Sequence, residues 1–230
     1  CLVLCDTKCG MLPQEVQPII ERVQHFSEGR GAKVDLGIHS HNDSDTAVAN
    51  SLLAISLGVR QVQGTINGDG ERGGNANLTS IIPALALKMD CDCEAIRNVS
   101  LLTETSRLVD ELANIPSNKY QPYVGRSAFA HKGGIHVSAV KRNPLTYEHI
   151  EPEKVGNSRR ILISDQSGKS NVLHKAKKFG INLEDDSPIV AAIVKELKEL
   201  ENQGFQYEGA EASGKRCWPI NCPNCAWPDN

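Results

Sequence analysis

Along the first 90 residues one pattern occurs three times: a short apolar run, a polar loop, then an amphipathic stretch. Leu2–Leu4 reads as a strand and leads through Asp6-Thr7-Lys8-Cys9-Gly10 into a helix from about Gln14 to Phe26. Val16, Ile19, Ile20 and Val23 fall at the i, i+3, i+4, i+7 spacing of one helix face, and Pro13 suits a first helical turn, where no N–H is needed. Val34–His39 reads as the second strand, followed by a helix bearing Ala47, Ala49, Leu52, Leu53 and Ile55, with Asp43 or Ser44 as its expected cap. Gly58–Ile66 reads as the third strand and runs into a Gly-rich loop before a helix over Leu78–Met89. Strands alternating with helices at this spacing predict parallel βα units.

After residue 90 the pattern changes. Cys93–Ile115 reads as one helix, with Ile96, Val99, Leu102, Leu108 and Leu112 on or near one face. A loop with Pro116, Pro122 and Gly125 follows, then Ala128–Val140, which holds two histidines and two adjacent glycines. Ile161–Ser164 reads as a strand, Ser170–Phe179 as a helix, and Pro188–Gly204 as a helix with Ile189, Ile193, Val194 and Leu197 at helical spacing and Gly204 as its stop. From Gly214 the chain is rich in Cys, Trp, Pro and Asn without periodicity, and no structure is expected there.

Charge and composition exclude several classes. Lys and Arg number 25 against 28 Asp and Glu, and no long basic run occurs, which argues against a nucleic-acid partner. No apolar stretch approaches the ~20 residues a membrane span requires, and Cys-Leu-Val-Leu-Cys is too short for a signal-peptide core. A cytoplasmic protein without a membrane partner is the expectation. The eight cysteines fall in three local clusters with none between Cys93 and Cys217, a distribution that suits reduced thiols better than a disulfide scaffold. The chain has no initiator Met and opens inside a strand, which reads as the start of a fragment.

The sharpest local chemistry is Ile38-His39-Ser40-His41-Asn42-Asp43. Side chains two apart in a strand point to one side, so two imidazoles here can converge on a divalent ion. They stand at the carboxyl end of their strand, the edge where parallel α/β folds form sites. Taken alone, the pair reads equally as surface or hydrogen-bonded histidines. A second polar loop one βα unit later, Asn67-Gly68-Asp69-Gly70-Glu71-Arg72-Gly73-Gly74-Asn75-Ala76-Asn77, strengthens the metal reading, because adjacent parallel strands set their following loops side by side. Asn75 can then add an amide oxygen. The loop's glycines permit close backbone approach, or are only a flexible turn.

These residues resemble a known family. Leu4-Cys5-Asp6-Thr7, His39-Ser40-His41-Asn42-Asp43, Gly70-Glu71-Arg72 and Gly74-Asn75-Ala76 follow the order and spacing of the isopropylmalate, citramalate and homocitrate synthases. The resemblance continues through Ala128-Phe129-Ala130-His131-Lys132-Gly133-Gly134-Ile135-His136, Thr146-Tyr147-Glu148-His149-Ile150, Val155-Gly156-Asn157 and Ser167-Gly168-Lys169-Ser170. Glu208-Gly209-Ala210-Glu211-Ala212-Ser213 looks like the junction before the family's regulatory domain, and the citramalate synthase branch is the most similar.

The resemblance implies an α/β fold: residues 1–90 as the last three βα units of a catalytic TIM barrel, 91–213 as a mostly helical post-barrel region, and 214–230 as an atypical tail. A full barrel takes about 250 residues, so about five units, roughly 150 residues, are expected upstream, and this chain alone is expected to be poorly soluble or unfolded. It further implies condensation of acetyl-CoA with a 2-oxo acid, pyruvate first and 2-oxoisovalerate or 2-oxoglutarate as alternatives, with thioester hydrolysis, in branched-chain amino-acid biosynthesis. A divalent ion (Zn, Mn or Mg) held by His39, His41 and Asn75 would polarise the acceptor carbonyl. His136 would assist proton transfer or water activation, with Tyr147 as its weaker partner and His131 in a structural role; Tyr147 as an ordinary half-buried aromatic stays open. Glu71 and Arg72 are read as an ion pair near the substrate. The family implies a homodimer. A remnant or dimerising module without chemistry is the competing reading. The family usually has other residues at Lys8, Cys9, Asp69 and Gly73, which puts catalytic competence in question without removing a ligand. Cys222-Pro223-Asn224-Cys225 has zinc-knuckle spacing but no complete four-ligand set.

Overall fold

The structure, a computed structural model, describes residues 1–205 apart from 9, 32, 33, 163–165, 179, 185 and 186; the expected 208–213 junction and the tail lie outside the described residues. The chain forms two compact units, residues 1–128 with 152–157, and 129–151 with 158–230.

The first unit is built on a parallel sheet in the order β1-β2-β3, with β1 Leu2–Asp6, β2 Leu36–Ser40 and β3 Gln61–Gln63. Leu4 pairs with Ile38 and Cys5 with His39 across β1 and β2, and His39 pairs with Gln63 across β2 and β3. Helices α1 Pro13–Gly29, α2 Ala47–Ser56 and α3 Leu78–Lys88 follow the strands in turn. The i, i+4 pair Val16 and Ile20 of α1 packs against Leu36 and Ile38 of β2, together with Ala54 and Val59. Burying apolar side chains like these contributes about 1.5–3 kcal/mol each relative to leaving them in water. Pro13 opens α1 as expected, and Glu15 closes the turn by accepting the Leu12 amide at 2.8 Å. β3 is much shorter than the apolar run predicted, because after Gln63 the chain turns into a one-turn 3₁₀ helix, Ile66–Gly68, with Asn67 left-handed at φ 64°.

Two local expectations are corrected. The cap of α2 is neither Asp43 nor Ser44: Thr46 is the boundary residue, and the carboxamide oxygen of Asn42 accepts the Ala47 amide at 3.1 Å. The single helix expected over 93–115 is broken into two 3₁₀ turns, Glu94–Ile96 and Val99–Leu101, and the helix α4 Leu102–Ala113, because Asn98 takes a non-helical conformation (φ −123°, ψ 39°). Of the leucines expected on one face, α4 buries only Leu102. Its inner side is Leu102 with the polar Thr103, Ser106 and Asp110, while Leu108 and Leu112 face solvent. The polar side is satisfied by specific bonds: Thr103 donates to the Val155 carbonyl at 2.7 Å, Ser106 donates to the Asn67 side-chain oxygen at 2.6 Å, and Asn67 donates to Asp110 at 2.6 Å. Hydrogen-bond demand outweighed apolar periodicity here.

The second unit pairs two short parallel strands, β4 Ala130–His131 and β5 Arg160–Ile161, with α5 Gly134–Arg142, α6 Lys169–Lys178 and α7 Pro188–Asn202. Its core is Val172 and Ala176 of α6 against Val190, Ile193 and Leu197 of α7, flanked by Ile181, Leu183 and Leu200. Ser187 caps α7 by accepting the Ile189 amide at 3.3 Å, and Gly204, at φ +96°, stands just past its end. The strand expected over 161–164 is described only at its first residues; 163 and 164 lie outside the described set, as does residue 179 at the expected end of α6. Among the described residues, no helix is long and apolar enough to cross a membrane.

Candidate metal centre and proton-transfer pair

β2 separates its two faces by alternation. Ile38 and Ser40 join Val16, Ile19 and Ile20 around a small cavity on the helix side. His39 and His41 stand on the opposite face of the strand, their ring centroids 5.1 Å apart at 82°. The loop after β3 doubles back onto the end of β2. Asn42 donates its amide to the Gly74 carbonyl at 2.9 Å, Ala76 donates to the Ser40 carbonyl at 2.9 Å, and His41 and Asn75 form an antiparallel bridge. This folding back brings Asn75 beside the histidines more closely than side-by-side loops require.

The loop glycines are obligatory for this path and not merely flexible. Gly74 is at φ +90°, and a Cβ there would run into the Gly68 carbonyl oxygen; one on Gly70 would run into the Asn75 carboxamide. Gly74→Ala is therefore expected to destabilise by more than about 1 kcal/mol, read as a fall in the thermal midpoint. A midpoint equal to the parent's would show that the loop takes another path.

The donor set fits a divalent cation. Buried Nδ1 of His39, Nδ1 of His41 and Oδ1 of Asn75 all lack a hydrogen-bond partner. The Asn75 amide nitrogen donates to the Asp69 carbonyl at 3.2 Å, which orients its oxygen away from that contact. Leaving a buried polar atom unpaired costs about 1–3 kcal/mol, so three on neighbouring residues is a large local debt that a cation would cancel. Ser40 Oγ and Asn50 Oδ1 are also unpaired. Ser40, however, lines the helix-side cavity, and Asn50 is tied to the Met11 carbonyl through its nitrogen. Imidazole with amide oxygen suits Zn, Mn, Fe or Co, and the oxygen extends the range toward Mg. Among the described residues no group of three or more His, Cys, Asp or Glu side chains is placed to hold a metal ion.

Arg72, left-handed at φ 56°, lies at the rim. Its nearest carboxylate is Asp43 at 3.0 Å, with Glu71 more distant at 3.8 Å, and it also donates to the Thr7 carbonyl at 3.2 Å. The expected Glu71–Arg72 pair is thus secondary: Asp43, expected as a helix cap, is instead the ionic tie between the loop after β2 and the loop after β3. Asp69 points to the neighbourhood of Asp110, and burial, then that like charge, push its carboxyl above the ordinary value.

His136 and Tyr147 belong to the second unit. His136 is exposed near the start of α5, its ring 4.3 Å from that of Tyr147 at a 32° tilt. Tyr147 follows a 3₁₀ turn, Pro144–Thr146, whose Leu145 amide donates to the Asn143 side-chain oxygen at 3.1 Å and whose Pro144 carbonyl accepts the Tyr147 and Glu148 amides. His131 is buried and bonded to Glu148 at 2.9 Å, and Arg159 binds the same carboxylate through Nε at 2.6 Å and through its second nitrogen. Burial pushes Glu148 up, but the bonds from Arg159 and His131 outweigh it and hold its carboxyl below the ordinary value. Sequence reasoning passed over Glu148 and Arg159. A carboxylate at the centre of the Thr146–Ile150 motif was the available signal.

Comparison with known proteins places the chain. Residues 1–109 match the HMGL-like family model, and residues 123–204 match the model described as homocitrate synthase post-HMGL domain-like. The chain is 56% identical over 213 residues to an (R)-citramalate synthase of Geobacter sulfurreducens, covering 93% of this chain and 39% of that protein. It is also 56% identical over 216 residues to an (R)-citramalate synthase of Synechocystis sp., covering 92% of this chain and 39% of the relative. A 2-isopropylmalate synthase of Sulfolobus acidocaldarius is more distant, 38% identical over 216 residues, with 94% and 54% covered. The chain thus spans 39% of the length of the citramalate synthases it matches. Its parallel βα units are part of the barrel fold to which the HMGL-like match assigns residues 1–109. With both matched segments in their expected order and 56% identity across nearly the whole chain, the chain belongs to the HMGL-like family, in the group of the citramalate, 2-isopropylmalate and homocitrate synthases.

Proposed function

We propose that this chain supplies metal ligands and a proton-transfer group to an enzyme that condenses acetyl-CoA with pyruvate and hydrolyses the thioester, giving citramalate and free CoA. The observation that supports this reading is that three buried polar atoms, on the adjoining residues His39, His41 and Asn75, lack hydrogen-bond partners in a chain 56% identical to (R)-citramalate synthases. These three residues would hold a divalent ion, Zn, Mn or Mg, whose chemistry is to polarise the carbonyl of a chelated 2-oxo acid. The Arg72–Asp43 tie keeps the two ligand-bearing loops together. His136, exposed and backed by the Tyr147 ring, moves a proton at its imidazole, either in forming the acetyl enolate or in activating the water that cleaves the thioester. Tyr147 holds that ring in place. In this reading residues 1–90 are catalytic barrel, 91–213 are the post-barrel region, and the protein works in the cytoplasm as a homodimer in branched-chain amino-acid biosynthesis.

The test is release of CoA thiol by the protein at full length, with pyruvate, 2-oxoisovalerate or 2-oxoglutarate as acceptor. Pyruvate is expected to exceed the other two by about tenfold or more in kcat/KM, the discrimination a pocket achieves over a few carbon atoms. A preference for 2-oxoisovalerate would shift the assignment to 2-isopropylmalate synthesis, and no thiol release with any acceptor would sink the enzymatic reading.

A further inference from the structure

In the second unit, a solvent-open cavity of about 730 Å³ is lined by α5, by the start of α6 and by Lys198 of α7. Arg142, Lys169 and Lys198 contribute to its wall, one from each helix, and among the described residues no carboxylate does. None of these three cations has an ion-pair partner among the described residues, whereas Arg159 and Lys195 of the same unit are paired with Glu148 and Glu199. The backbone adds to the excess of positive charge. The amides of Ile135 and His136 in α5, and of Lys169 and Ser170 in α6, precede the first intrahelical bonds and have no partner among the described residues.

The two helix starts are also pressed together. Gly134 and Gly168 pack backbone against backbone, so closely that a Cβ on Gly134 would stand 2.9 Å from the Gly168 Cα. Each helix start carries the equivalent of about half a positive charge. Two of them side by side, with three exposed cations around one concavity, make a positively charged surface that favours an anion. The field extends along α6: burial, then Lys141, Lys175, Lys178 and Lys177, hold the His174 imidazole below its ordinary value. The volume is in the range of cavities that take small molecules, and Ser138 and Ser170 on the wall supply further hydrogen-bond donors.

We propose that this cavity is a binding site for a phosphate ester or diphosphate group, held by Arg142, Lys169 and Lys198. The shared chemistry is a multiply charged phosphate. It comes from one of two sources: the nucleotide end of a CoA thioester, or a free phosphate-bearing ligand.

Calorimetric titration of the full-length protein with inorganic pyrophosphate tests the proposal. The parent is expected to bind, and Lys169→Ala, Lys198→Ala and Arg142→Ala are each expected to weaken binding about tenfold, as is usual when one charge-assisted hydrogen-bond partner is lost. Lys195→Ala, a cation on α7 outside the cavity wall, serves as the control and is expected to leave affinity unchanged. Gly134→Ala adds a second line, since separating the two helix starts should weaken binding while all three cations remain. Repeating the titration at saturating CoA, and then at saturating dephospho-CoA, separates the sources. Competition by CoA assigns the site to the nucleotide end, and undiminished pyrophosphate binding assigns it to a free ligand. The proposal is overturned if pyrophosphate does not bind the parent, or if Lys195→Ala weakens binding as much as the cavity variants do. Neither outcome bears on the condensation reading, which stands or falls on thiol release.

Discussion

His39→Ala and His41→Ala are each expected to lower divalent-metal affinity by about 100-fold or more while leaving the secondary structure unchanged. Even outer-shell partners of a metal ligand are worth about 10–100-fold in affinity, so removing a ligand should cost at least that. Both Nδ1 atoms are buried and unpaired in the protein as it stands. Deleting either therefore removes a destabilising group from the metal-free protein, and the metal-free variants should melt at or above the parent's midpoint. Metal addition reverses the order. At a concentration about 100 times the dissociation constant, bound metal stabilises the parent by about 2.7 kcal/mol, and the variants should show almost none of this rise. A residue that served only to pack would give the opposite sign in the metal-free melt, so the pair of melts separates a ligand from a structural histidine. Asn75→Ala should fall between parent and histidine variants, because an amide oxygen is the weaker donor. Metal binding by both histidine variants equal to the parent's would remove the site assignment.

Glu148→Ala is expected to destabilise the second unit by about 1–3 kcal/mol, the usual cost of removing one partner of a buried hydrogen-bonded group. The carboxylate is 2% exposed and binds both Arg159 and His131, so its loss removes an acceptor that the two side chains share. Its pH dependence has a definite sign. The folded carboxyl lies below its ordinary value of 4.5, so the unfolded chain takes up the proton first. The stabilisation is fully present above the unfolded value and is lost as pH falls through the folded one. Urea unfolding of the parent should therefore give a free energy that declines on acidification below about pH 4.5. Glu148→Gln, isosteric and uncharged, should start lower at neutral pH and lack that part of the decline. Identical acid slopes for parent and Gln variant would show that the cluster contributes no linkage. Because Glu148 directly follows Tyr147 and its amide is held by the Pro144 carbonyl, the same variant should loosen the Tyr147–His136 stack and lower turnover more than substrate affinity.

The βα order of the first unit, its three helices and the helical reading of Pro188–Gly204 were legible in the sequence because each rests on local rules: apolar periodicity, Pro at a helix start, and Gly past a helix end. His39 and His41 were legible for the same reason, since the two-residue repeat of a strand guarantees that they share a face. The family was legible from the order of short motifs, each of which is local. Three things depended on groups far apart in the chain and were decided by tertiary structure alone. The inward polar face of α4 meets the hydrogen-bond demand of Asn67, 39 residues before Ser106; no window of periodicity contains that demand. Asp43 became the ion-pair partner of Arg72 because the Gly-rich loop folds back onto β2, a path set by backbone contacts at Gly68 and Gly74. Glu148 meets Arg159 and His131 only once β4 and β5 lie side by side. Local chemistry could nominate the metal ligands, but which charges neutralise one another, and which stay unpaired around a cavity, is fixed only by distances that the fold creates.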